Sequence, residues 1–175
     1  MTEWRECKLK DVADIQTGPF GSQLHQSDYV EIGTPIVTVE HLGNKKFKTL
    51  NLPMVSEQDK KRLLKYVLKT GDIVFSRVGS VDRCSYVSAN ENDWLFSGRC
   101  LRVRTNKDVF SEFLYYYFCM ESTREHIRKI AVGATMPSIN TSIMEELNVV
   151  LPPLPEQKAI AEVLSSLDDK IDLLT

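Results

Sequence analysis

Apolar and polar positions change period several times along this chain. Leu9, Val12 and Ile15 recur at helical spacing and predict a short helix ended by Gly18. Gly18-Pro19-Phe20-Gly21-Ser22 follows as a tight loop. Residues 34–39 alternate and are β-branched, which predicts a strand, and Gly43-Asn44-Lys45-Lys46 reads as a turn. Ser56 with Asp59 three positions on is a capping pair for a short helix to about Lys65. The middle third is rich in strands: 73–78, 83–88, 94–97 and the stretch around Leu101 and Val103. Lys69-Thr70-Gly71-Asp72 and Gly79-Ser80 separate them as turn and loop. Arg102 and Arg104 alternate with Leu101 and Val103, so that strand is expected to have one polar face. From Phe110 the helical period returns. Phe113, Leu114, Tyr117 and Phe118 share a face, Ile127 and Ile130 extend it, and Gly133 stops it. Ile143, Met144 and Leu147 predict one more short helix before a strand at 148–151.

The last 24 residues follow a different pattern. Pro152-Pro153-Leu154-Pro155 is a stiff junction, and Pro155 suits the first position of a helix. Ile160, Leu164, Leu167, Ile171 and Leu174 recur at spacings of four, three, four and three, the seam of a coiled coil. Asp168, Asp169 and Asp172 would lie against the negative end of that helix, and no Gly or Asn cap follows Leu174. Both features lead us to expect a helix that continues further or is completed by a partner. The fold class expected is therefore a mixed α/β (α+β) domain at 1–151, joined to a Pro-rich junction and long C-terminal helix of coiled-coil type at 152–175.

Composition narrows the chemistry. With 42% hydrophobic and 26% charged residues the chain is of the globular class, not a low-complexity or disordered one. No apolar run approaches the roughly 18–20 residues of a membrane span. Met1-Thr2-Glu3-Trp4-Arg5-Glu6 lacks the apolar core of a secretory signal. Four scattered cysteines fit a reducing compartment, so a cytoplasmic protein without a membrane partner is expected. No Cys-x-x-Cys occurs, and His25, His41 and His126 are isolated, so no metal site is expected. Phosphate-loop, dinucleotide, zincin and nucleophile-elbow motifs are all missing. The formal net charge of −2 argues against gripping nucleic acid by total charge. Residues 40–106 nevertheless hold thirteen Lys/Arg against seven Asp/Glu, a local excess that suits phosphate contacts or simply a solvated face.

Several segments together resemble the specificity subunit of type I restriction-modification systems. The most specific is LPPLPEQKAIAEVL at 151–164, similar to the junction where a target recognition domain enters a long helix. GDIVFSRVGS at 71–80 resembles that family's central hairpin, and WRECKL at 4–9, the Thr17–Ser22 loop and GATMPS at 133–138 match in order. The resemblance implies a non-catalytic subunit that reads one half of a bipartite site in double-stranded DNA and docks methyltransferase (modification) subunits. A restriction/translocase subunit would join indirectly. S-adenosylmethionine, ATP and Mg would then be needed on partner subunits only, and this chain would hold no cofactor. A family member has two recognition domains and two long helices, whereas this chain has one of each. A second copy, or a second half, is expected to pair through the helix as a dimer.

Base edges in the major groove are read best by Arg, Lys, Asn and Gln, with Ser and Thr assisting. Three loops supply such groups: Ser22, Gln23 and His25; Asn44, Lys45 and Lys46; and Arg77, Ser80 and Arg83, with Thr135 and Ser138 as further candidates. For Arg77 and Arg83 the competing expectation is an ion pair with Asp72 or Asp82, and for Lys45 and Lys46 a solvated turn. Ile160, Leu164, Leu167, Ile171 and Leu174 are the candidates for helix association, against packing on the chain's own body. Two other functions stay open. One is an interaction protein that binds the methyltransferase through its helix with little DNA affinity. The other is a thiol-dependent enzyme using Cys84 or Cys100 with His41 or His126.

Overall fold

The computed structural model describes residues 3–19 and 21–175. The chain opens with β1 (Arg5–Lys8), a single 3₁₀ turn at Leu9–Asp11, and β2 (Ala13–Thr17). The short helix expected here is thus a turn and a strand. Leu9 and Val12 are buried at the two ends of one turn, and Leu9 N–H donates to the Leu147 carbonyl. From Ala13 onward the pattern has period two, with Ile15 inward and Asp14 exposed, and the backbone is drawn into a sheet.

Next come β3 (Tyr29–Val30), β4 (Thr34–Val37) and β5 (Met54–Val55). Helix α1 (Glu57–Arg62) starts where expected, with the Ser56 hydroxyl accepting from Asp59 N–H. The strand-rich middle yields β6 (Ile73–Ser76), β7 (Cys84–Tyr86), β8 (Leu95–Phe96) and β9 (Cys100–Thr105). Two helices follow, α2 (Ser111–Cys119) and α3 (Glu121–Ile130), where one continuous helix was expected. They break at Met120, whose backbone is extended (φ −63°, ψ 135°). The chain closes with α4 (Thr141–Glu145), β10 (Asn148–Leu151) and α5 (Leu154–Leu174).

A central antiparallel sheet of order β2-β9-β6-β7 separates two apolar cores. Ile73, Phe75, Leu101 and Val103 point to the first core, where they meet Leu114, Phe118, Met144 and the β1–β10 ribbon. Phe75 and Phe118 pack edge to face at 4.9 Å. Val74 and Cys100, on the other face, meet a second sheet of order β3-β5-β4-β8. The polar face expected for β9 is therefore roofed by this sheet. Arg102 is buried there, bonded to Asp14 (2.7 Å) and to the Lys65 carbonyl, with its guanidinium 5.8 Å from the Phe96 ring. Arg104 chelates the buried Asp72 carboxylate through Nε and Nη2, both at 2.8 Å.

The junction into α5 depends on one amide. Gln157 is buried; its Oε1 accepts Phe110 N–H (2.8 Å) and its Nε2 donates to the Pro152 carbonyl (2.8 Å). Pro155 takes the second helical position and Pro153 caps, where a proline leaves no orphaned donor. Below this anchor one face of α5 lies along the body: Ala161 is buried, and Ser165, Asp168 and Asp172 contact the body at the same helical phase. Among the described residues no helix is long and apolar enough to cross a membrane, and no cluster of three or more His, Cys, Asp or Glu is arranged to hold a metal ion.

Candidate nucleic-acid interface

Strand register gathers four loops at one end of the central sheet. Thr17 pairs with Leu101 and Ser76 with Cys100, so the end of β2, the end of β6 and the start of β9 lie side by side. Val37 pairs with Phe96 in parallel, which brings the end of β4 to the same edge. The loops leaving these ends, 18–19 with 21–28, 38–41, 77–83 and 97–99, border an open groove of about 710 Å³. Its lining includes Leu24, Tyr29, Thr38, Asn51, Arg77 and Arg99.

The loops are fastened to one another. A Cβ on Gly18 would lie 2.0 Å from the Ser97 carbonyl oxygen, so only glycine permits this approach, and Gly18 N–H donates to Cys100 O. Arg77 N–H donates to the Arg99 carbonyl, and Arg77 Nη1 reaches Gly98 O at 3.5 Å. Arg83 Nη2 donates to Val39 O (2.6 Å), tying loop 77–83 to loop 38–41. Tyr66 OH donates to Gln23 Oε1 (2.8 Å), and Arg62 donates to the Gln23 carbonyl. A pinned rim of this kind holds contact groups in place before any ligand arrives.

The candidate residues divide accordingly. Ser22, Gln23 and His25 are exposed beside the groove, whose lining holds their neighbours Leu24 and Gln26. Arg77 lines it, Ser80 is exposed on the same loop, and Arg83 is half-buried as a pin. Thr135 and Ser138 join this cluster, because Ser138 pairs with both Val78 and Val132. Of the two candidate aspartates, Asp72 is held by Arg104 and Asp82 by Arg128.

The second loop belongs to another surface. Lys45 Nζ donates to Glu112 (2.7 Å), Tyr116 OH (2.9 Å) and Ser165 (3.2 Å), and Lys46 pairs with Asp172. Burial draws the Lys45 ammonium down, but its hydrogen bonds to Glu112 and Tyr116 outweigh this and hold it above the ordinary lysine range. Asn44 is exposed at the same turn. These lysines fasten α5 to the body instead of facing the groove. The basic excess of residues 40–106 is also partly internal, since Arg62, Arg102 and Arg104 pair with Asp59, Asp14 and Asp72.

Arg99 is a groove cation absent from the candidates read from the sequence, as are the groove residues Tyr29, Thr38 and Asn51. It is exposed on Ser97-Gly98-Arg99, between two strands that the sequence did reveal. A cation in a two-strand connector beside a glycine was the available signal.

The association candidates also split. Ile160 packs against the first core and Leu164 is half-buried, whereas Leu167, Ile171 and Leu174 are exposed. Val163 joins them on the outer face. Asp168 accepts from Tyr116 OH (2.6 Å), so this acid, like Asp172, has a partner on the body.

Among the described residues no hydrogen bond joins Cys84 or Cys100 to His41 or His126. Cys84 and Cys100 are buried, and burial pushes the Cys100 thiol up to about 12. His41 Nδ1 is engaged by Thr38 N–H and hydroxyl. Cys84 instead meets Cys119, whose thiol is held below the ordinary range by the Cys84 thiol, Tyr115 and Arg124 against the effect of burial.

A two-core α/β body with loops gathered at one sheet end, leading through a proline–glutamine junction into a long helix, is the architecture of a DNA specificity domain. The match to the family described as "Type I restriction modification DNA specificity domain" runs over residues 1–175, and the chain belongs to that family. It is 27% identical over 98% of its length to the type I restriction enzyme MjaVIII specificity subunit and 30% identical over 97% to the putative MjaX specificity subunit, both of Methanocaldococcus jannaschii. It spans 41% and 40% of those relatives. The fold is that of solved S subunits: the type I restriction-modification S subunit from M. genitalium (TM-score 0.69, 19% identity, 99% of this chain and 41% of that one) and the HsdS subunit from Thermoanaerobacter tengcongensis (0.72, 19%, 98% and 39%).

Proposed function

We propose that this chain reads one half of a bipartite site in duplex DNA, with the groove between its four loops as the reading surface. The observation that carries this is the polarity of the fold. Loops with Arg77 and Arg99 gather at one end of the central sheet, while Gln157 anchors α5 to the segment that leaves β9 at the other end. Backbone phosphates are met by the arginines, and base edges by polar side chains on the pinned loops. Chemistry, with S-adenosylmethionine, ATP and Mg, falls to the methyltransferase and the restriction/translocase subunit. The outer stripe of α5 serves a second copy, a second specificity half or the methyltransferase.

The test is duplex binding by fluorescence anisotropy, for the chain alone and with the purified methyltransferase subunit, across a salt series. Arg99→Ala and Arg77→Ala should each weaken binding and lower the salt slope by about one if they meet phosphates. Binding by neither preparation, or binding that both substitutions leave untouched, refutes the groove as the reading surface. The second reading, an interaction protein without DNA affinity of its own, is favoured by the exposed Leu167 and Ile171. It predicts methyltransferase capture with no gain in duplex binding.

A further inference from the structure

Resting on the DNA reading above, we infer that Met136 is a base-contacting residue that reads the C5-methyl group of a thymine in the major groove. It stands on the tip of a small hairpin, 132–138, closed by reciprocal hydrogen bonds between Val132 and Ser138 (2.8 and 2.7 Å). The hairpin lies against the groove loop: Gly79 N–H donates to Pro137 O (2.8 Å), and Ile139 N–H donates to Arg77 O (2.9 Å). Arg77 and Val78, its neighbours there, line the groove.

A single exposed methionine is ordinary on a protein surface. Met136 differs in how it is presented. It is 67% exposed at a tip whose backbone is constrained on both sides. Gly133 has φ +109°, and a Cβ there would come within 2.7 Å of the Met136 carbonyl, so the turn admits only glycine. Pro137 restricts Met136 to extended backbone. The tip is therefore stiff, apolar and set beside the arginine-bearing rim of a groove proposed to hold a polyanion. Among the functional groups of base pairs, the thymine methyl is the one apolar group displayed in the major groove. An unbranched thioether adapts to such a surface without demanding a hydrogen bond.

The experiment uses the chain with its methyltransferase subunit. A preferred duplex is first selected from a randomised pool. Binding of wild type, Met136→Ala and Met136→Leu is then measured on it, with each thymine replaced in turn by uracil, which lacks the methyl. At one thymine, uracil should weaken the wild type about fourfold and leave Met136→Ala unchanged, with Met136→Leu retaining most of the affinity. If duplex selection succeeds but no uracil substitution separates wild type from Met136→Ala, this role is overturned and the DNA reading stands. If Met136→Ala loses methyltransferase capture instead, the tip is a protein contact and the inference fails. If wild type selects no sequence at all, both readings fall together.

Discussion

At the residue scale, the buried charges carry the largest consequences. Asp72 is 1% exposed, accepts two hydrogen bonds from Arg104 and takes Lys69 N–H as a third donor (2.8 Å). Removing Asp72 strips Arg104, which keeps some solvent contact, of its charged acceptor and leaves the Lys69 N–H without its partner, which costs about 2–3 kcal/mol. Asp72→Ala should therefore lower the unfolding free energy by about that amount in urea titration, whereas replacing the exposed Glu31 should change it by less than about 0.5 kcal/mol. Equal effects of the two substitutions would refute this account of Asp72. The sequence drew attention to Asp72 as part of a turn and as an ion-pair partner for Arg77 or Arg83, and to Arg104 as part of the polar face of its strand. Their pairing was not legible, because it depends on which face of β9 the second sheet covers. Alternation alone says that two faces differ, not which of them meets water. The same blindness hid the partners of Lys45, which looked like a loop cation and is an internal fastener.

At the element scale, α5 shows what periodicity reveals and what it does not. Its existence, its start at the prolines and its apolar repeat were all readable. The split of that repeat was not: Ile160 turns to the body while Leu167 and Ile171 stay outside. The cause lies in sequence-distant residues. The turn at 44–46 places Lys45 at φ +61°, a strained backbone for a lysine, and its ammonium gathers Glu112, Tyr116 and Ser165. Such a connection between a loop and two helices has no local signature. Short elements failed for the opposite reason. Leu9, Val12 and Ile15 fit three helical positions, yet a turn followed by a strand fits them equally well. The α5 contact has a pH signature. Lys45 is raised, and Tyr116 is raised to about 12 by burial and by its bond to Asp168. A group with a raised folded pKa contributes stability that is complete below its unfolded value, near 10 for both, and lost as pH climbs toward the folded value. The advantage in unfolding midpoint of wild type over Lys45→Met should then be level from pH 7 to 9 and shrink above pH 10. An alkaline decline of the same size in Lys45→Met would refute the assignment to this contact.

At the scale of the whole molecule, the two proposed surfaces are physically separate, and that separation can be tested. The groove lies at the ends of β2, β4 and β6, whereas the outer stripe of α5, with Val163, Leu167, Ile171 and Leu174, shares none of its lining. Covering an apolar side chain of this size is worth about 1.5–3 kcal/mol. Leu167→Asp together with Ile171→Asp should therefore weaken helix-mediated assembly by at least tenfold, read by sedimentation of the chain alone and by capture of the methyltransferase. Neither side chain is part of the buried core, so the body's unfolding midpoint should move little. Salt-dependent duplex binding by any surviving monomer should keep its slope, since no groove cation has changed. The converse substitution, Arg99→Ala, should leave assembly intact while reducing that slope. Assembly that withstands both aspartates would remove the stripe as an interface and leave α5 as a strut for the recognition body. A loss of duplex binding by the dispersed chain would mean that two recognition bodies must be joined before either holds DNA, which would put the avidity of a paired site, and not the single groove, at the centre of recognition.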